Sequence, residues 1–174
     1  MLFKTIALIF AVCMVPIYSQ ELVYPFLKPA SITSPFGDRP NPLLSGYGFH
    51  TGVDLGVKLG TGVFAIADGI VVSCYPPPKG KFKGDAVFGG LVVLKVVYHD
   101  LNLYVMYAHL KEVFVRENQK IIAGYLLGLS GSTGESTGPH LHFEILINPT
   151  EAPFYYRTDL NVQPKVQVDW AYKP

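Results

Sequence analysis

Two short segments of this chain carry side chains that could share one cation. In His140-Leu141-His142-Phe143-Glu144 the imidazoles stand two residues apart. On an extended strand such residues share a face and lie roughly 7 Å apart along the chain, while Leu141 and Phe143 turn to the opposite, core-facing side. One imidazole can then bind a metal while the other stands beside the open coordination position, within reach of a proton on water or substrate. The second segment is His50-Thr51-Gly52-Val53-Asp54. Fully extended, it would hold His50 and Asp54 roughly 13 Å apart, too far for two atoms that must each sit about 2 Å from one ion. The chain must therefore bend, and Gly52 permits the bend.

His50, Asp54 and one imidazole of the His-x-His pair make three nitrogen and oxygen ligands, the pattern of a catalytic zinc site with a fourth position left for water. Cobalt or manganese suits similar donors. Zinc lowers the pKa of water from 15.7 to about 7, and an amide carbonyl then becomes open to attack. Taken singly, each histidine reads as a surface or hydrogen-bonded residue, and only the joint constellation reverses that balance. His99 sits in a turn and reads as structural. The residues alone leave His109 open, at the end of a predicted strand in Tyr107-Ala108-His109-Leu110.

Two motifs point elsewhere and fail on context. Gly134-Glu135-Ser136-Thr137-Gly138 matches G-x-S-x-G, but a nucleophile elbow needs a strand before the serine and a helix after it, whereas Pro139 and a strand follow here. The same glycines lack the Gly-Lys-Ser/Thr and the helix N-terminus of a phosphate cradle. They read as loop geometry.

The elements that must position these residues are strands. From Thr61 onward, short runs of Val, Ile, Leu, Tyr and Phe alternate with Gly, Pro, Asn and Asp, and no period-3.6 pattern is sustained. Strands are expected at Gly62 to Ala67, Gly69 to Tyr75, Leu91 to Tyr98, Leu103 to Ala108, Lys120 to Leu129 with a break at Gly124, and His140 to Ile147. Their close spacing favours antiparallel pairing, with a hairpin turn at His99-Asp100-Leu101-Asn102. Pro76 to Asp85 is expected as a long exposed loop, a candidate specificity element beside the site. Ser130 to Gly138 delivers the chain into the His140 strand. The fold class is mainly β: one domain with an antiparallel sheet core and a groove for the site.

At 174 residues the chain suits one such domain. Residues 1–19 read as a signal peptide: Lys4, an apolar run from Thr5 to Ile17, then Tyr18-Ser19-Gln20. The run falls short of the roughly 20 residues that span a bilayer, so no stable membrane span is expected after its removal. Residues 20–154 are expected to form the domain that carries the zinc site, and 155–174 a tail packed on it or extended. Cys13 leaves with the signal and Cys74 has no partner, so no disulfide framework holds the fold. Loss of Lys4 balances the 14 basic residues against the 13 acidic ones, which gives no electrostatic case for a nucleic acid partner. Lys79, Lys81 and Lys83 form a local basic patch, read as a solvated loop tip.

The sequence resembles the lysostaphin-type zinc metallopeptidases, which cut cross-bridges or stem peptides of bacterial peptidoglycan. The resemblance covers Ser31 to Pro153 and is carried by Ile32-Thr33-Ser34-Pro35-Phe36-Gly37-Asp38-Arg39, Phe49-His50-Thr51-Gly52-Val53-Asp54-Leu55, Ala67-Asp68-Gly69-Ile70-Val71, Tyr107-Ala108-His109-Leu110, and Gly131-Ser132-Thr133-Gly134 through Pro139-His140-Leu141-His142-Phe143-Glu144. It implies that His50, Asp54 and His142 bind one Zn2+, that His109 and His140 are catalytic, and that the partner is a peptidoglycan peptide met in the periplasm, outside the cell or from a virion. The loop at Pro76 to Asp85 and Phe88-Gly89-Gly90-Leu91 depart from the family pattern, which bears on substrate preference. Two alternatives stand beside the enzyme: a non-catalytic binding or regulatory module, and a structural envelope or virion component. Relatives of the regulatory kind have lost metal ligands, whereas all five positions are present here.

Overall fold

The structure is a computed structural model that describes residues 22–40, 46–77, 87–99 and 101–147. The signal peptide, Cys13, the lysine patch, most of the Pro76 to Asp85 loop and the tail lie outside the described residues. Among the described residues no helix is long and apolar enough to cross a membrane.

Twelve strands form the described part: β1 (Ser31–Ser34), β2 (Gly37–Pro40), β3 (Tyr47–His50), β4 (Val53–Gly56), β5 (Gly62–Phe64), β6 (Gly69–Tyr75), β7 (Gly90–Tyr98), β8 (Leu101–Leu110), β9 (Glu112–Val113), β10 (Lys120–Ile121), β11 (Leu126–Leu129) and β12 (His140–Ile147). Seven make one sheet in the order β1-β4-β12-β8-β7-β6-β10, three make a second in the order β5-β11-β9, and β2 pairs with β3. Every pairing is antiparallel.

The almost continuous apolar run of β7 has a simple cause: the strand is covered on both sides. Val92, Leu94 and Val96 pack into the main core with Val105, Tyr107, Leu141 and Phe143 and with Val63, Ile66 and Leu127 from around the smaller sheet. Leu91 and Val93 turn to the other face, where Met106 and Ala108 complete a second cluster. Burial of Leu141 and Phe143 in the main core sends His140, His142 and Glu144 to that second face.

Most expected strands appear with shifted ends. Gly69 to Tyr75 is β6, and the Leu91 and Leu103 strands extend to β7 and β8, so that Leu101 and Asn102, expected in the hairpin turn, belong to β8. Gly62 to Ala67 is a correction, because the strand stops at Phe64. Beyond it the backbone bonds to loops and to a side chain: Ala65 N donates to Tyr125 O, Ile66 N to the Tyr107 hydroxyl, and Ile66 O accepts from Val23 N. Lys120 to Leu129 breaks at Gly124, which has φ +78°, and its halves β10 and β11 join different sheets.

Candidate metal centre

His142 on β12 pairs directly across from Asp54 on β4, and residues so paired project from the same face. The chain bends at Thr51–Gly52 between β3 and β4, as the spacing required, and the bend returns His50 to that face. The outcome is an almost equilateral triangle: His50 Nε2 to His142 Nδ1, His50 Nε2 to Asp54 Oδ1, and His142 Nδ1 to Asp54 Oδ1 are each 3.1 Å. All three residues are buried. Gly52 also clears room, since a Cβ there would lie 2.9 Å from two atoms of the His142 ring and 2.5 Å from Phe143 O.

The other ring nitrogens fix what the triangle offers. His50 Nδ1 lies 2.8 Å from Pro35 O, and a carbonyl only accepts, so that nitrogen carries the proton and Nε2 is left bare. His142 Nε2 lies 3.3 Å from Glu144 Oε2, which leaves Nδ1 to face the triangle. Glu144, itself buried, also accepts from Thr51 Oγ1 at 3.0 Å. Three lone-pair donors thus converge where, without a cation or a proton, they would repel. Two ligands about 2.05 Å from a zinc ion at tetrahedral angles stand about 3.3 Å apart, so donor chemistry and spacing both fit zinc.

His109 and His140 flank the triangle. His140 Nδ1 donates to Gly138 O at 2.8 Å, and its Nε2 stands 3.5 Å from Asp54 Oδ1. His109 reaches the site through a bulge. Between the pairs Gly90↔Leu110 and Val92↔Tyr107, β8 holds one residue more than β7, and His109 takes φ +60° there. Strict alternation would have sent its side chain to the Tyr107 face, into the core. The extra residue re-aims it, bringing its ring to 4.7 Å from His140 and 5.9 Å from His142, centroid to centroid. Thr133 clasps the bulge: its carbonyl accepts from His109 Nδ1 at 2.7 Å, and its hydroxyl donates to Leu110 O at 2.7 Å while accepting from Gly90 N at 2.9 Å. His109 Nε2 is therefore also bare.

Electrostatics differ sharply across the cluster. Burial pushes the Asp54 carboxyl up, but the facing His142 and His50 nitrogens, which hydrogen-bond to it when a proton takes the place of the cation, and the charges of His50 and His140 hold it well below the usual carboxylate range. Burial, joined by the charges of His140 and His142, pulls His109 down to about 4, so it is neutral at pH 7. Burial lowers His142 too, yet the Asp54 and Glu144 hydrogen bonds raise it above its ordinary value. All five residues line an open cleft of about 470 Å³, with Val87 and Phe88, which follow the Pro76 to Asp85 loop in sequence, and with Arg39.

All five residues singled out in the sequence thus come together. Reading the sequence missed their supports. Glu144 carried a usable signal, being two residues from His142 on one strand and so on its face. Pro35, Thr133 and Gly138 act through backbone carbonyls, which no residue type announces.

A three-donor cluster closed on the protein side and open to a cleft is what metal-assisted hydrolysis asks of a fold, and comparison with known proteins sets the chain among metallopeptidases. It belongs to Peptidase family M23, which matches residues 48–153. It is 39% identical over 129 residues to the DD-carboxypeptidase/endopeptidase Mpg of Neisseria meningitidis serogroup B, covering 74% of this chain and 26% of that protein. It is 37% identical over 113 residues to the glycyl-glycine endopeptidase ALE-1 of Staphylococcus capitis, covering 65% of this chain and 29% of that one. The chain spans under a third of either relative's length. The catalytic domain of the antimicrobial peptidase lysostaphin from Staphylococcus simulans superposes with a TM-score of 0.57 at 30% identity, covering 70% of this chain and 84% of that one. The antiparallel β fold expected from the sequence is borne out.

Proposed function

We propose that this chain is an exported zinc-dependent endopeptidase that hydrolyses amide bonds in peptidoglycan peptides. The observation that carries the reading is the triangle of His50 Nε2, Asp54 Oδ1 and His142 Nδ1 at 3.1 Å, with both imidazoles committed outward to acceptors. These three residues would hold the ion, which when bound supplies Lewis acidity and brings the pKa of water to about 7. His109 and His140 do the proton work. Each is held by a carbonyl on Nδ1, so each presents Nε2 to the cleft as an acceptor. Burial keeps His109 neutral at pH 7, so its Nε2 lone pair is free there to accept a hydrogen bond from an attacking water. Once protonated, an imidazole of the pair can steady the developing oxyanion or give its proton to the leaving nitrogen. The apolar run after Lys4 supports export, and the relatives' printed activities support a wall-peptide substrate.

Digestion of purified peptidoglycan by the chain, with mass analysis of the fragments, tests this. Fragments released by cleavage of an amide are expected with zinc, and none after chelation or in His142→Ala. Digestion unchanged by the chelator would end the zinc reading, and an intact wall under every condition would favour a structural or regulatory role.

A further inference from the structure

Two charged side chains among the described lining residues of the cleft, Arg39 and Glu135, are left over once the five site residues and their supports are assigned, and of the two Arg39 is the one paired with the metal-binding cluster. Arg39 stands on β2 directly across from Gly48 on β3, a partner without a side chain. Its side chain is 25% exposed, and its one charged contact among the described residues is Nη2 to Asp54 Oδ2 at 3.7 Å. That separation is an ion pair beyond hydrogen-bond contact. An arginine serving only to brace a carboxylate would meet it with the paired, parallel N–H bonds that its fork allows. Here, among the described residues, the fork meets no such pair of acceptors, and it borders the cleft, where Arg39 is the sole fixed cation among the described lining residues. Beside it, Phe49 is 57% exposed and packs edge-on against Phe36.

Resting on the peptidase reading, we propose that Arg39 binds a carboxylate of the substrate, so that the preferred peptide bears a free carboxylate on a residue adjoining the scissile amide. Asp54 sets the scale: Oδ1 faces the two imidazoles and Oδ2 faces Arg39 at 3.7 Å, so a single carboxylate stands between the guanidinium and the metal-binding cluster. Residues of an extended peptide are about 3.3 Å apart, which puts a carboxylate on the neighbouring residue in reach. The interior of a glycine run offers no such group. A linkage made to an amine whose own residue keeps a free carboxylate offers one, as does a terminal dipeptide.

The test uses two acetylated peptides ending in D-alanyl-D-alanine, identical except that one ends in a carboxylate and the other in a carboxamide. Their binding to the metal-free chain is measured first, so that no hydrolysis intervenes, and then their cleavage by the zinc-loaded chain. Wild type is expected to bind the carboxylate about 10–100-fold more tightly, Arg39→Gln to lose most of that ratio, and Arg39→Lys to keep only part of it. Equal binding of both peptides by wild type would overturn the proposal without any variant, and so would a ratio that Arg39→Gln and Arg39→Lys leave unchanged. A carboxylate preference that depends on Arg39, with neither peptide cleaved by the zinc-loaded chain, would sustain Arg39 and count against the peptidase reading instead.

Discussion

Glu144 Oε2 accepts from both His142 Nε2 and Thr51 Oγ1, and this makes it the residue that sets which nitrogen of His142 is free. Outer partners of this kind are typically worth 10–100-fold in metal affinity. Glu144→Ala is therefore expected to weaken zinc binding by about that factor, read by competition with a chromophoric chelator, while Glu144→Gln, which keeps an acceptor, weakens it less. His109 yields a pH prediction. Its folded pKa of about 4 lies below the ordinary 6.5, so between those values the unfolded chain binds a proton that the folded chain refuses. The contribution is intact above pH 6.5 and is lost as pH falls toward 4, on the order of 3 kcal/mol. His142 acts with the opposite sign, its raised pKa favouring the folded state at low pH, so only a difference isolates His109. In urea unfolding of the metal-free protein, stability should fall more steeply from pH 7 to pH 4.5 in wild type than in His109→Asn, a replacement that tolerates φ +60°. Parallel slopes would mean that His109 is not buried neutral. At this scale the sequence was largely legible, because ligand chemistry resides in residue type. What it hid were partners that are backbone carbonyls, those of Pro35, Thr133 and Gly138.

The β8 bulge is the element on which the proposed catalytic role of His109 hangs, since it turns His109 from the core face to the cleft. Thr133→Val keeps the shape of the clasp but removes its hydroxyl bonds to Leu110 O and Gly90 N. We expect a loss of about 1–3 kcal/mol in stability and a lowered kcat, with zinc affinity unchanged because the triangle lies on β3, β4 and β12. Chemical denaturation, peptide hydrolysis and zinc competition on the same variant separate these, and a parallel fall in zinc affinity would contradict this division of labour. The bulge could not be read from sequence, because Tyr107-Ala108-His109-Leu110 looks like any strand end. The same holds for Ala65 to Ala67, apolar and strand-like, whose backbone bonds went to Tyr125, Val23 and the Tyr107 hydroxyl. The strands β1 to β4 went unpredicted individually for a related reason. They are four residues each and rich in Gly, Pro and Ser, and pairing with β12 and with one another, more than local propensity, makes them strands. The bend at Gly52 was legible because a distance demanded it.

Across the whole molecule, seven strands build a platform whose one face is core and whose other face carries the site. The alternation in β12 joins the two: burying Leu141 and Phe143 is what presents His140 and His142. The fold class followed from that alternation and from close strand spacing, whereas the division of strands between two sheets did not, since only contacts distant in sequence decide it. The measurement that tests the account most directly is zinc content and affinity of the purified chain, set beside hydrolysis, across single substitutions of the five residues. We expect one zinc per wild-type chain, loss of zinc in His50→Ala, Asp54→Ala and His142→Ala, and zinc retained but hydrolysis abolished in His109→Ala and His140→Ala. Zinc kept by His142→Ala, or lost from His109→Ala, would contradict the assignment of three residues to the metal and two to the proton.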